Sequence, residues 1–209
     1  MKILHDLGRP LCFIGDTYYN NTLRDYFQKN GRVCLQFRVE DIENFPQHWF
    51  DQYQFMCAVS TIEFKYFVAT RLAHIKIDYF SVVGDYNVFS GDVAIGKNTF
   101  INCFNFFQPD VVIGDHCTVT THTAISHHAT VNSFSHVSAY CMVNHAVLEP
   151  GCCIGLRSSI LGKPNQLTVI PAYTNVMAGS VITKSLPVGG TYYNKRKISD
   201  STSLTYELL

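Results

Sequence analysis

From Ile77 onward an aliphatic or phenylalanine residue stands at every sixth position: Ile77, Val83, Phe89, Ile95, Ile101, Phe107, Ile113, Val119, Ile125, Val131, Val137 and Val143. A period of six drifts around a helix of 3.6 residues per turn, so it cannot mark one helical face. The residue after each anchor is small or polar, as in Gly84, Gly96, Gly114, Ser126 and Ser138, and only Gln108 is bulky. Four positions after an anchor the side chains are modest again, as in Asn87, Thr99, Cys117, Thr123 and Ala129. One large inward residue and one small one per six describe a short strand plus a corner. Stacked units of this kind form a parallel β-helix in which each coil buries what the last exposed. The frame slips near Glu149, Pro150 and Gly151, and resumes at Ile154 and Ile160. After a ten-residue step it resumes again at Ile170, Val176 and Ile182. Lys163, Pro164, Asn165 and Gln166 are therefore expected to form a loop that leaves the prism.

The residues before the repeat alternate strand and helix signals. Strands are expected over Leu11–Gly15, Val33–Val39 and Phe55–Val59, and helices over Thr22–Lys29, Asp41–Gln52 (disturbed by Pro46) and Thr61–Leu72. This βαβαβα order implies a small parallel α/β sheet, whose strand C-termini form the usual ligand crevice. The candidate there is Gly15-Asp16-Thr17. It lacks the further glycines of a pyrophosphate cradle, so Asp16 reads as a sugar or ribose contact, or the segment as a capped βα turn. The expected division is an α/β substrate-binding domain over 1–73, a β-helix over 74–190 and a tail over 191–209.

Sixteen basic residues balance sixteen acidic ones, which offers no electrostatic support for nucleic acid or an anionic membrane as partner. No run approaches transmembrane length and the start lacks an apolar signal core, so a cytoplasmic location is expected. The eight cysteines sit mostly in apolar strand patterns, and no C-x-x-C pair occurs. They read as reduced core residues, and no metal is expected on them.

Six of the nine histidines fall between positions 116 and 145. His127 lies two residues after the anchor Ile125 and His145 two after Val143, so three hexapeptides should stack them on successive coils. His136, nine residues from His127, is half a coil away and faces elsewhere in the same subunit. The two can share a site only across a subunit boundary.

From about Asp110 to Lys197 the chain resembles the left-handed β-helix acyltransferases of the sialic acid O-acetyltransferase and nucleotide-sugar N-acetyltransferase family. The motifs are Ile125-Ser126-His127-His128, His136-Val137-Ser138 nine residues later, Ile154-Gly155-Leu156, and Met177-Ala178-Gly179-Ser180-Val181-Ile182-Thr183-Lys184 before Pro187. The βαβαβα start resembles that family's sugar-binding domain. The resemblance implies a homotrimer with acetyl-CoA lying between subunits and His127 as general base. It also implies His136 of the adjoining subunit at the acetyl-CoA end, and backbone N–H groups around Gly155, Leu156, Ala178 and Gly179 holding pantetheine and the thioester oxygen. Lys195 would meet the CoA 3′-phosphate, and Gly15 and Asp16 the sugar substrate. Where the family places a carboxylate beside the base, this chain has Ser126 and His128.

The expected activity is acetyl-CoA-dependent N-acetylation of a nucleotide-linked deoxy-amino sugar for surface glycan assembly. O-acetylation of a sialic-acid-like sugar uses the same fold and base. From other classes stand a non-catalytic trimeric scaffold and a zinc protein of the γ-carbonic anhydrase type. The last needs a third histidine about two coils before His122 and His127, where Tyr86 and Asn87 stand.

Overall fold

The computed structural model describes residues 1–59 and 61–200. From Ser81 to Ile182 the chain winds through three parallel sheets that form the faces of a prism. The first face runs through Ser81–Val83, Phe100–Ile101, Thr118–Val119, His136–Val137, Cys153–Ile154 and Asn175–Val176. The second holds Val88–Phe89, Phe106–Phe107, Ala124–Ile125, Met142–Asn144, Ser159–Leu161 and Val181–Ile182. The third holds Val93–Ile95, Val111–Ile113, Thr130–Val131, Ala146–Leu148 and Thr168–Ile170. Successive coils pair in parallel at eighteen residues, as in Thr118 with His136 and Ile125 with Val143.

The six-residue anchors are what this register buries. Ile101, Phe107, Val119, Ile125, Val131, Val137 and Val143 have no exposed surface and form one continuous core. Each such side chain contributes roughly 1.5–3 kcal/mol of burial free energy. Ile77 departs from the expectation: it packs with the N-terminal core, and the first coil begins at Ser81.

The corners carry residues with positive φ that are not glycine. Tyr86, Phe104, His122, Tyr140 and Arg157 line one edge, Asp110, His128 and His145 a second, and His116, Phe134 and Tyr173 the third. The left-handed region costs an ordinary residue about 1–2 kcal/mol, and stacking offsets part of it. On the first edge the ring centres of Tyr86 and Phe104 are 5.0 Å apart, Phe104 and His122 5.2 Å, and His122 and Tyr140 4.9 Å, with Arg157 over Tyr140.

The frame slips earlier than expected. Val131 pairs with Leu148, seventeen residues on, so the shortened corner lies between Val143 and Leu148, at His145, and not at Glu149-Pro150-Gly151. The ten-residue step is a loop, as expected: Lys163 and Gln166 exchange both backbone hydrogen bonds at 2.9 Å. It leaves from the edge that carries His145, one coil on.

In the N-terminal unit Leu11–Ile14 is the central strand between Cys34–Phe37 and Gln54–Met56, all parallel. Helix α1 spans Tyr18–Lys29, α2 Val39–Ile42, α3 Gln47–Gln52 and α4 Ile62–Arg71. Pro46 divides the expected single helix by standing at the N-cap of α3. Helix α4 lies over the first face, where the buried Lys65 Nζ donates to Thr118 Oγ1 at 2.7 Å. Lys2–Leu4, which carried no strand signal, pairs antiparallel with Ser81–Val83. Beyond the last coil, Thr191–Tyr193 extends the first face and Arg196–Ser199 folds back on it. The tail expected over 191–209 is thus partly strand; residues 201–209 lie outside the described residues. Among the described residues no helix is long and apolar enough to cross a membrane. All eight cysteines are free, and six of them are buried.

Candidate active site

His127 and His128 occupy the corner that follows Ala124–Ile125, and both are exposed. On the next coil the corner is one residue shorter, so His145 spans it alone. Its N–H donates to the His127 carbonyl at 3.1 Å. The shortening draws three imidazoles together, with ring centres 6.0 Å apart for His127 and His145, 5.6 Å for His128 and His145, and 6.4 Å for His127 and His128. The stacking of His127 and His145 was legible in their spacing; its cause was not.

Polar neighbours orient this corner. Asn144 Oδ1 lies 2.8 Å from His145 Nδ1. An amide oxygen accepts, so Nδ1 carries the hydrogen and Nε2 keeps a lone pair. Gln108 Oε1 accepts from the His127 N–H at 3.3 Å. Asp110 Oδ2 lies 3.5 Å from His128 Nδ1, an ion pair when that imidazole is protonated. A carboxylate therefore reaches this corner from the preceding coil, through His128. Sequence reasoning missed Asp110 and Asn144, although Asp110 stands eighteen residues before His128, one coil period. Among the described residues no group of three or more His, Cys, Asp or Glu is arranged to hold a metal ion.

His136 lies elsewhere, on the outer side of the first face and 7% exposed. The half-coil argument anticipated this separation from His127. His136 Nε2 lies 3.2 Å from Ser138 Oγ, while Nδ1 is buried without a hydrogen-bond partner among the described residues. Burial, reinforced by Lys65, pushes the imidazole down to about 4, so it is neutral at pH 7. Burial likewise lowers Lys65 to about 8. Beside His136 the start of α4 and the first face line an open pocket of about 370 Å³.

Gly155, Leu156, Ala178 and Gly179 meet on adjacent coils at the edge between the first and second faces. A Cβ at Gly155 would stand 2.5 Å from the Ala178 nitrogen, so only glycine allows this approach. The Gly155 and Gly179 N–H groups donate to Val176 and Leu156 carbonyls within the coil. The Leu156 and Ala178 N–H groups have no such partner among the described residues, and Leu156 is exposed. Lys195 is exposed in the turn after Thr191–Tyr193, which Asn194 Oδ1 pins by accepting from the Val181 N–H at 2.7 Å. Gly15 ends the central strand at φ +88°. Its carbonyl accepts from Asn20 and Gln36, Asp16 accepts from Asn21, and Thr17 caps α1. Asp16 itself is exposed.

No protein-family profile matches the chain. WeeI from Acinetobacter baumannii AYE superposes with a TM-score of 0.72 at 18% identity, covering 88% of this chain and 95% of that one. A perosamine N-acetyltransferase variant from Caulobacter crescentus, in complex with CoA and GDP-perosamine, gives 0.59 at 14% identity over 87% and 92%. The acetyltransferase domain of PglB from Neisseria gonorrhoeae gives 0.54 at 16% identity over 93% and 94%. The chain shares the β-helix fold of these structures. In sequence it is 27% identical over 127 residues to an acyl-[acyl-carrier-protein]–UDP-N-acetylglucosamine O-acyltransferase from Pseudomonas paraeruginosa, covering 52% of this chain and 45% of that one. The same-named protein of Pseudomonas aeruginosa aligns equally. The chain spans about half the length of the curated relatives it matches.

Proposed function

We propose that the protein is an acetyl-CoA-dependent N-acetyltransferase acting on the amino group of a nucleotide-linked deoxy-amino sugar, in the assembly of a surface glycan such as lipopolysaccharide or capsule. The observation that carries this reading is the exposed histidine corner on a fold whose solved examples include a perosamine N-acetyltransferase bound to CoA and GDP-perosamine. His127 is the general base. It takes a proton from the amine as nitrogen bonds to the thioester carbonyl carbon, and returns it to sulfur as the C–S bond breaks. No covalent bond to the protein is needed.

The unspent Leu156 and Ala178 N–H groups suit the amides and thioester oxygen of acetyl-CoA, and Lys195 suits its 3′-phosphate. Gly155 and Gly179 supply the open backbone beside them. His136 of an adjoining subunit stands where donor and acceptor meet. Gly15 and Asp16, at the strand C-termini of the α/β unit, face the nucleotide-sugar side. A homotrimer of left-handed β-helices completes the site. In support, the outer side of the second face is apolar and open, with Val88, Phe106, Met142 and Val181 39–54% exposed. The free cysteines and the acetyl-CoA requirement accord with the cytoplasm.

The test is thiol release from acetyl-CoA with a panel of nucleotide-linked amino sugars and sialic-acid-type sugars, for the wild type and His127→Ala. Turnover of an amino sugar that disappears in the variant supports the reading. Turnover of a sialic-acid-type sugar alone, or none, overturns it.

A further inference from the structure

His122 is held as a fixed hydrogen-bond acceptor, and the corner at His127 makes no use of it. Its ring is clamped on both sides: Phe104 stacks on it at 5.2 Å and 19°, Tyr140 at 4.9 Å and 14°. The residue is exposed, so the rim of the imidazole faces outward. Its tautomer is set as well. Thr121 Oγ1 donates its one hydrogen to the Cys103 carbonyl at 2.8 Å and lies 2.7 Å from His122 Nδ1. The hydroxyl can then only accept from the ring, so Nδ1 carries the hydrogen and Nε2 keeps a lone pair. Among the described residues nothing pairs with that Nε2. Stacking alone needs no imidazole, because Tyr86, Phe104 and Tyr140 fill the neighbouring rungs of the same edge. The buried corner residue His116 makes the contrast. Asn98 Oδ1 accepts from the Cys57 N–H, so the Asn98 amide nitrogen donates to His116 Nδ1 and that lone pair is spent inside the protein.

Within one chain His122 and His127 do not meet, since the strand Ala124–Ile125 carries them to opposite edges of the second face. That face is the one left open. Val88, Phe106, Met142 and Val181 on its strands are 39–54% exposed, and Tyr86 on its first edge 75%. Among the described residues the strands of the third face expose only Val112 of their large apolar side chains, and the coil strands of the first face none. A closed ring of three copies buries such a face by turning it toward the axis. Three parallel prisms packed in this way meet edge to edge, the first edge of one copy against the second edge of the next. His122 and His127 flank one and the same strand, so they stand at equal height and the ring brings His122 of one subunit to His127 of its neighbour.

We infer that His122 of the partner subunit is a second catalytic residue of each acyl-transfer site, its Nε2 accepting one N–H of the attacking amine while His127 accepts the other. As nitrogen bonds to the thioester carbon, the proton facing His127 passes to that imidazole and then to sulfur while the C–S bond breaks. The N–H held by the partner's His122 stays in the amide product. Two fixed acceptors aim the amine lone pair at the carbonyl carbon. An alcohol has one O–H and satisfies only one of them, so the pair favours N-acetylation over O-acetylation. The inference rests on the acetyltransferase reading and deepens it.

Cross-linking reads the juxtaposition without turnover. The full chain carrying His122→Cys and His127→Cys together is treated with a short bismaleimide, beside each single variant as a control for the native cysteines. Covalent dimers and trimers in the double variant alone are expected; a double variant that stays monomeric on a denaturing gel overturns the inference. Subunit mixing reads the chemistry, as thiol release from acetyl-CoA with a UDP-linked 4-amino-4,6-dideoxyhexose. His122→Phe keeps the stack, since phenylalanine already occupies the positive-φ corners at Phe104 and Phe134. It should lower kcat about 100-fold with the melting temperature unchanged. Co-expressed His122→Phe and His127→Ala chains, isolated as mixed trimers through two tags, hold one site with both histidines whatever their ratio. Their activity should return to about one third of wild type. No recovery on mixing, or wild-type kcat in His122→Phe, overturns the inference. If the double variant cross-links but wild type releases no thiol with any acceptor, the acetyltransferase reading fails and the catalytic role with it, while the subunit contact stands.

Discussion

His145 stands 6.0 Å from His127, ring centre to ring centre, because the coil that carries it is one residue short at the corner. Asn144 holds its Nδ1, which leaves Nε2 free to accept from the neighbouring imidazole through a small side-chain rotation or one water. With His127 as the proposed base, the job that a carboxylate does beside many histidine bases, fixing ring and tautomer, would fall to a second imidazole.

Replacing His145 with Gln should lower kcat by about 10–100-fold, with the KM for acetyl-CoA little changed, since outer-sphere orienting groups contribute on that scale. His145→Glu should recover part of the loss. Steady-state thiol release, with the melting temperature followed in parallel, checks this. A KM effect alone, or no rescue by Glu, would reduce His145 to a structural element.

Acid should unfold the protein through its buried imidazoles. Burial holds His116 and His136 at about 4 when folded, against an ordinary value of 6.5. Above 6.5 both are neutral in either state and their contribution is fully present. As pH falls from 6.5 toward 4 the unfolded chain binds protons first, and stability declines with a slope approaching two protons. His136→Gln should remove about half of that slope, measured as urea midpoints across the window.

Lys65 pulls the other way. Below about pH 8 it is charged in both states, and the cost of burying that charge weighs on the fold. Between about 8 and its ordinary value of 10.5 the folded amine is already neutral while the unfolded one is not, so stability should rise with pH. Lys65→Met should stabilise the protein at pH 7 by roughly 1–3 kcal/mol and abolish that rise. Thr118 Oγ1 is not stranded by the change, because it also donates to the Val59 carbonyl at 2.9 Å. Chemical denaturation at pH 7 and pH 10 measures both effects.

Gly162 connects the loop to the histidines. A Cβ there would collide with the His145 carbonyl oxygen, and the Thr168 nitrogen is close behind. Gly162→Ala should therefore displace His145, lowering both kcat and the melting temperature. Insertions between Pro164 and Asn165, at the loop tip, should leave both unchanged. Kinetics and thermal melts on the two variants discriminate these outcomes.

The coils were legible because a side chain every six residues is a global pattern: Ile101 through Val143 keep step, and burial follows. Ile77 kept the same step by coincidence and belongs to the other core, which periodicity cannot tell. The deleted residue at His145 was misplaced because Glu149-Pro150-Gly151 looks like a break while Asn144-His145-Ala146 does not. In the α/β unit the strands were found to within three residues, and Lys2–Leu4 was missed since three residues hold no period. At the site, His127 could be named from its neighbours in sequence. Asp110 could not, because it reaches its place beside His128 from the preceding coil.

The pairing of Lys2–Leu4 with Ser81–Val83 sets a schedule for synthesis. Once made, Lys2–Leu4 must wait about eighty residues for its partner, and until then the first face has no floor. A fragment cut at residue 74 would begin with a bare parallel edge, a template for end-to-end joining of prisms into filaments. Lys2–Leu4 thus travels with the solenoid as the stopper of one face, and severing the two should favour fibres.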